Sequence, residues 1–144
     1  MKVALLVFLF MGSMGFIVDA ITRQLDGIKG FVEKIKSLKI LLNIFVYGTG
    51  GLLLFWITYI PIFKMLDFLL LFMLLGSVIC SVVELGFGIL FNIKLKLNLW
   101  NYETKIKIGN KVIKLNILGQ VDIIHFVLWG FISIPVYWLS NLIK

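Results

Sequence analysis

One cysteine, one histidine, two prolines and seven acidic residues are few for 144 positions. Several of these scarcities close off a class of protein. With Cys80 alone, neither a disulfide framework nor a cysteine metal site can form within one chain. Cys80 sits in an apolar run and reads as a small packing residue. One histidine and scattered carboxylates make no H-E-x-x-H-type motif, so no metal and no cofactor are expected. No Walker sequence is present, and the glycines of "YGTGG" have no lysine after them. Any ATPase would therefore be another chain. No arginine-rich or aromatic-interleaved tract occurs, so nucleic acid is not an expected partner. No A-x-A-like site closes the first apolar run, which reads as a retained helix and not a cleaved signal.

What the chain has is apolar surface. Hydrophobic residues make up 61% and the mean hydropathy is +1.09. Soluble domains are nearer half apolar, so this excess must face lipid. Four apolar runs, about 3–21, 40–60, 65–93 and 117–143, reach or approach the ~20 residues that cross a bilayer. Pro61 ends the second run. Backbone in lipid must satisfy its own hydrogen bonds, so each run is expected to be helical. Between the first two runs, Leu25, Ile28, Phe31, Val32, Ile35 and Leu38 recur at helical spacing, which predicts an interfacial amphipathic helix over about 24–38. Between the last two, alternation in Ile93-Lys94-Leu95-Lys96-Leu97 and in "KIKI-GN-KVIK" predicts a β-hairpin within about 94–115, turning at Gly109-Asn110. The expected fold class is thus an all-α membrane protein. It is a four-transmembrane-helix bundle with an interfacial helix and a small cytoplasmic hairpin, in one domain over 1–144.

The net charge of +7 concentrates in the connections. The first carries +3 (Arg23, Lys29, Lys34, Lys36 and Lys39 against Asp26 and Glu33). In the second, Lys64 and Asp67 cancel, and the third carries +5, six lysines from Lys94 to Lys114 against Glu103. The positive-inside rule places the first and third connections in the cytoplasm and both termini outside, with Lys2 and Lys144 pulling weakly the other way. The expected location is the bacterial cytoplasmic membrane, multi-pass. Trp100, Tyr102, Lys105, Lys107 and Lys111 form an expected docking surface for anionic lipid or a partner protein.

Polar residues inside the runs are the candidate site. At 1.5 Å per residue, Glu84 lies ~15 Å from Lys94, Tyr47 ~12 Å from Lys39 and Asp19 ~6 Å from Arg23. Asp122 and His125 lie ~12 and ~16 Å from Lys114 if that stretch is helical. Ser77, Ser81, Glu84 and Gly88 share one helical stripe, Gly12, Gly15 and Asp19 another, and Asp122, His125 and Trp129 a third. These stripes are expected to meet in the bundle interior, with His125 or Asp122 as the partner of Glu84 and Tyr47 in reserve. Such a cluster is either a proton, ion or solute site or a network that holds helices together.

The stretch "GSVICSVVELGFGILFNIKLKLNLWNYE" resembles the putative ABC-transporter type IV family, where an apolar helix with Glu in a Ser-x-x-Glu context leads into Leu-Trp-Asp-Tyr. "IKIGNKVIKL" is similar to that family's short Gly-containing strand pair, "FVLWGFISIPV" to its Phe-Trp-Gly helix, and "VYGTGG" to an earlier Tyr-Gly-x-Gly stretch. Asn101 stands where the family often has Asp, and Asn110-Lys111 where it has Arg. The resemblance implies a transport-type or permease-subunit role, as a homo-oligomer or with another membrane or cytoplasmic protein. Alternative expectations are a non-enzymatic adaptor docking through the basic hairpin and a holin-like pore. An enzyme acting on lipid ranks last, and no catalytic residue is assigned.

Overall fold

In the computed structural model, residues 2–23, 39–60, 69–97, 99–102, 105–109 and 111–143 are described, without the side chains of 19–23, 39 and 143. The helices are α1 (Lys2–Arg23), α2 (Lys39–Ile57), α3 (Leu69–Gly88), α4 (Ile123–Ile132) and α5 (Ile134–Ile143). The strands are β1 (Lys105–Ile108), β2 (Lys111–Lys114), β3 (Asn116–Ile117) and β4 (Val121–Asp122). Three helical stretches, Ile40–Ile57, Leu69–Lys94 and Ile123–Leu142, are long and apolar enough to cross a membrane, and Lys2–Val18 is a shorter apolar stretch. The segment expected to be an amphipathic helix, 24–38, lies outside the described residues.

Close approach of α1 and α2 depends on glycine. A Cβ on Gly15 would stand 2.4 Å from the Tyr47 ring, so the bare backbone there lets Tyr47 pack directly on α1. The buried core runs from Val7, Met11 and Val46 through Leu54, Phe72 and Cys80 to Trp100 and Trp129. Leu5, Leu41, Leu70, Val82 and Trp138 point outward, as helices bathed in lipid require.

Four features differ from the sequence reading, each for a local reason. The run expected as helix to 93 leaves α3 at Gly88 and widens into a π-helix, Ile89–Lys94, whose buried residue is Asn92. The alternation at 93–97 is consequently not a strand: Ile93 and Lys94 belong to that π-helix, and Lys96 takes φ 55°, which turns the chain back toward the bundle. The fourth run does not begin as helix at 117. Leu118 (φ 53°) and Gly119 (φ 70°) form a left-handed turn between β3 and β4, and α4 starts only after Asp122. Asp122 caps α4 by accepting the His125 N–H at 2.8 Å. The run also breaks at Ser133, between α4 and α5. Pro135 explains this, because it has no N–H for the carbonyl of Phe131.

The β1–β2 hairpin pairs Lys105 with Lys114 and Ile108 with Lys111, leaving a two-residue loop. Gly109 there takes φ +59°. The register puts Lys105, Lys107, Val112 and Lys114 on one face and Ile106, Ile108, Lys111 and Ile113 on the other, and both faces are exposed.

Candidate functional site

Glu84 has 0% exposure. It sits on the buried stripe of α3 with Ser77, Ser81 and Gly88. A buried carboxylate is costly unless hydrogen-bonded, and three neutral donors from three parts of the chain meet this one. The Tyr102 hydroxyl donates to Oε1 at 2.5 Å. The Tyr47 hydroxyl of α2 approaches the same oxygen at 3.5 Å, and the Trp129 indole N–H of α4 donates to Oε2 at 3.0 Å. The rings pack on one another: Tyr47 and Trp129 centroids are 4.9 Å apart, and Tyr102 stacks on His125 at 4.0 Å. Trp129 follows from the i, i+4 spacing after His125, which points both rings inward from α4.

Asp122 and His125, expected to pair with Glu84, are bonded to each other. His125 Nδ1 lies 2.7 Å from Asp122 Oδ1. The capping turn explains this: Asp122 sits just before the helix, and its carboxylate accepts from the first turn of α4. Tyr47, the reserve, does reach Glu84. Asp19 lies on α1, but its side chain is outside the described residues. Lys105, Lys107 and Lys111 are exposed on the hairpin. Trp100 and Tyr102, expected at the membrane interface as docking residues, are buried instead, at 2% and 5% exposure. Amphipathic aromatics satisfy interior polar groups as well as headgroups, and composition alone does not separate the two.

A second layer holds Trp100 and Tyr102 in place. Asn92 Oδ1 accepts the Leu99 N–H at 2.6 Å, while Asn92 Nδ2 donates to the Trp100 carbonyl at 3.0 Å and to Gln120 Oε1 at 2.7 Å. The Trp100 indole donates to the Gln120 carbonyl at 3.0 Å, and the Tyr102 N–H to the Gly119 carbonyl at 2.8 Å. Gly88 makes room for Gln120, whose side chain lies where a Cβ would stand, 2.6 Å away. Sequence reasoning missed Asn92 and Gln120. Their signal was an amide at each end of the expected hairpin, bracketing "LWNY".

Beyond Tyr102 lies a polar cleft of about 400 Å³, lined by Asn101, Tyr102, Lys105, Lys114, Asn116, Leu118 and Gly119. Tyr102 thus lines the cleft and touches Glu84 with its hydroxyl. On the other side, one turn from Glu84, the Ser81 hydroxyl is buried with no hydrogen-bond partner among the described residues.

The family model described as putative ABC-transporter type IV matches residues 6–143. The chain belongs to that family. No curated protein and no solved structure matches it. Its apolar helices and this family together mark a transporter-related membrane protein. In this member of the putative ABC-transporter type IV family, the match spans every residue of the Glu84 cluster, from Tyr47 to Trp129.

Proposed function

We propose that the chain is a non-enzymatic, transport-type membrane subunit whose working group is Glu84, reached by protons from the cytoplasmic cleft through Tyr102. It crosses the bacterial cytoplasmic membrane four times with both termini outside, and acts as a homo-oligomer or with another membrane or cytoplasmic protein. The observation that carries this reading is the position of Tyr102, which lines the polar cleft and donates to the carboxylate at 2.5 Å. A phenol hydroxyl both donates and accepts, so it can exchange a proton with Glu84 and with water that enters from the cleft. The Ser81 hydroxyl supports the same reading, since a buried polar atom without a partner among the described residues can serve a passing solute or ion.

Water access tests it. With Cys80 replaced by alanine, Ser81→Cys should react with a small water-soluble thiol reagent added to membranes. Complete protection under every condition would mean a dry interior, and Glu84 would then only hold the helices together.

The adaptor reading has its own support in the hairpin, where Lys105, Lys107 and Lys114 share an exposed face. A partner docking there would be lost on reversing those three charges. Loss of function on charge reversal, with Glu84→Gln fully active, would favour the adaptor.

A further inference from the structure

We infer that the polar cleft beyond Tyr102 binds one small anion of the phosphate-monoester class. It is the same cleft that the proton reading uses, but the inference does not rest on that reading, since an anion can bind there whether or not Glu84 exchanges a proton.

The hairpin register sets up the charge. Lys105 lies directly across the ribbon from Lys114. Ile108 and Lys111 flank the two-residue loop and form the hydrogen-bonded kind of pair. By alternation Lys105 and Lys114 form the other kind, with Cα atoms about 4.5 Å apart and side chains at their closest. Like charges directly opposite destabilise a ribbon, and an anion held between them turns that repulsion into attraction. Both lysines line the cleft, together with Asn101, Tyr102 and Asn116, and none of the described residues lining it carries a carboxylate. Asp122, which lines a neighbouring hollow with Lys114, is already engaged by the His125 ring and N–H.

The rest of the lining supplies donors and room. Asn116 Oδ1 accepts the Gly119 N–H at 3.2 Å, which leaves the donor end of that amide for a ligand. Asn101 packs its side-chain oxygen on Gly119, where any Cβ would collide with it, so the bare backbone keeps the floor of the cleft open. Two ammonium groups with amide donors suit a phosphate monoester, which carries a charge near −2 and three acceptor oxygens. The volume of about 400 Å³ is at the small end for ligand pockets, room for a phosphoryl group and a short organic tail.

Isothermal titration of the protein in phosphatidylcholine nanodiscs with glycerol phosphate tests the site. The expected result is saturable binding of one anion per chain. Lys105→Gln and Lys114→Gln should each weaken it about fivefold, the upper end for an exposed ion pair, with helix content unchanged by circular dichroism. Asn101→Asp, which keeps the shape and adds a negative charge, should weaken it as well. Lys107→Gln should not, because Lys107 shares the ribbon face but does not line the cleft. Phosphatidic acid in the disc competing with the titrant, where an equal load of phosphatidylglycerol does not, would assign the site to a lipid headgroup. An undiminished signal would assign it to a soluble phosphate, and the chemistry of the site is the same in both. No saturable binding by the wild type would overturn the proposal. So would an equal loss in Lys107→Gln, which would mean diffuse attraction to a basic ribbon. Neither result touches proton exchange at Glu84, and a Glu84 that exchanges no proton leaves the anion site standing.

Discussion

Glu84 shows how one side chain can organise a bundle of neutral helices. Its two oxygens accept from α2, from α4 and from the irregular segment after the π-helix, so three separate stretches of chain are tied at one point. Removing a donor to a buried carboxylate costs about 1–3 kcal/mol. Trp129→Phe is therefore expected to lower the thermal unfolding midpoint in detergent, and a midpoint equal to wild type would mean that the indole N–H contributes nothing. Asn92→Leu should cost more, on the order of 3 kcal/mol, because it leaves the Leu99 N–H, the Trp100 carbonyl and the Gln120 amide unsatisfied together. Differential scanning with both variants checks the order, Asn92→Leu below Trp129→Phe. Position along the chain had already placed Glu84 deep in an apolar run. Of its partners, Tyr47 was legible only in reserve and Trp129 only as a neighbour on the Asp122–His125 stripe, while Tyr102 was placed at the interface. The depth estimate favoured Asp122 and His125 because it assumes continuous helix, which the left-handed turn at Leu118-Gly119 breaks.

At the scale of elements, the apolar runs were readable from length alone, and the hairpin from strict alternation around Gly109-Asn110. What hydropathy misses is the behaviour of polar residues at the ends of runs. Asn92 in the π-helix redirects the chain inward, and Asp122 shortens the last run by capping α4. Each lowers local hydropathy by one residue, too little to end a run averaged over a window of about 19 residues. The hairpin is also independent of the bundle in its exposure, which makes it a separate unit to perturb. Gly109→Val forces a β-branched residue to φ +59°, a cost of about 1–2 kcal/mol in a two-stranded ribbon that has little stability to spare. Hydrogen–deuterium exchange should then show fast exchange over Lys105–Lys114, with α3 and α4 protected as before. Loss of protection in α3 as well would mean that the ribbon and the bundle fold as one unit.

For the whole molecule, the charge of the connections and the buried cluster make one joint statement. If the third connection is cytoplasmic, the polar cleft and Tyr102 lie on that side, and Glu84 is served from the cytoplasm. A cysteine at position 107, in a Cys80→Ala background, should be labelled only after membranes are opened or inverted. Labelling from outside intact cells would reverse the orientation and with it the direction of proton entry. The central claim is that Glu84 exchanges a proton through Tyr102, and infrared difference spectroscopy reads that carboxyl directly. Stepping the pH of wild-type protein in lipid should change a protonated-carboxyl band that Glu84→Gln eliminates, and Tyr102→Phe should slow its appearance while leaving the fold intact. A Glu84 band that stays constant at every pH where the protein is folded, or that responds equally fast in Tyr102→Phe, would contradict the account.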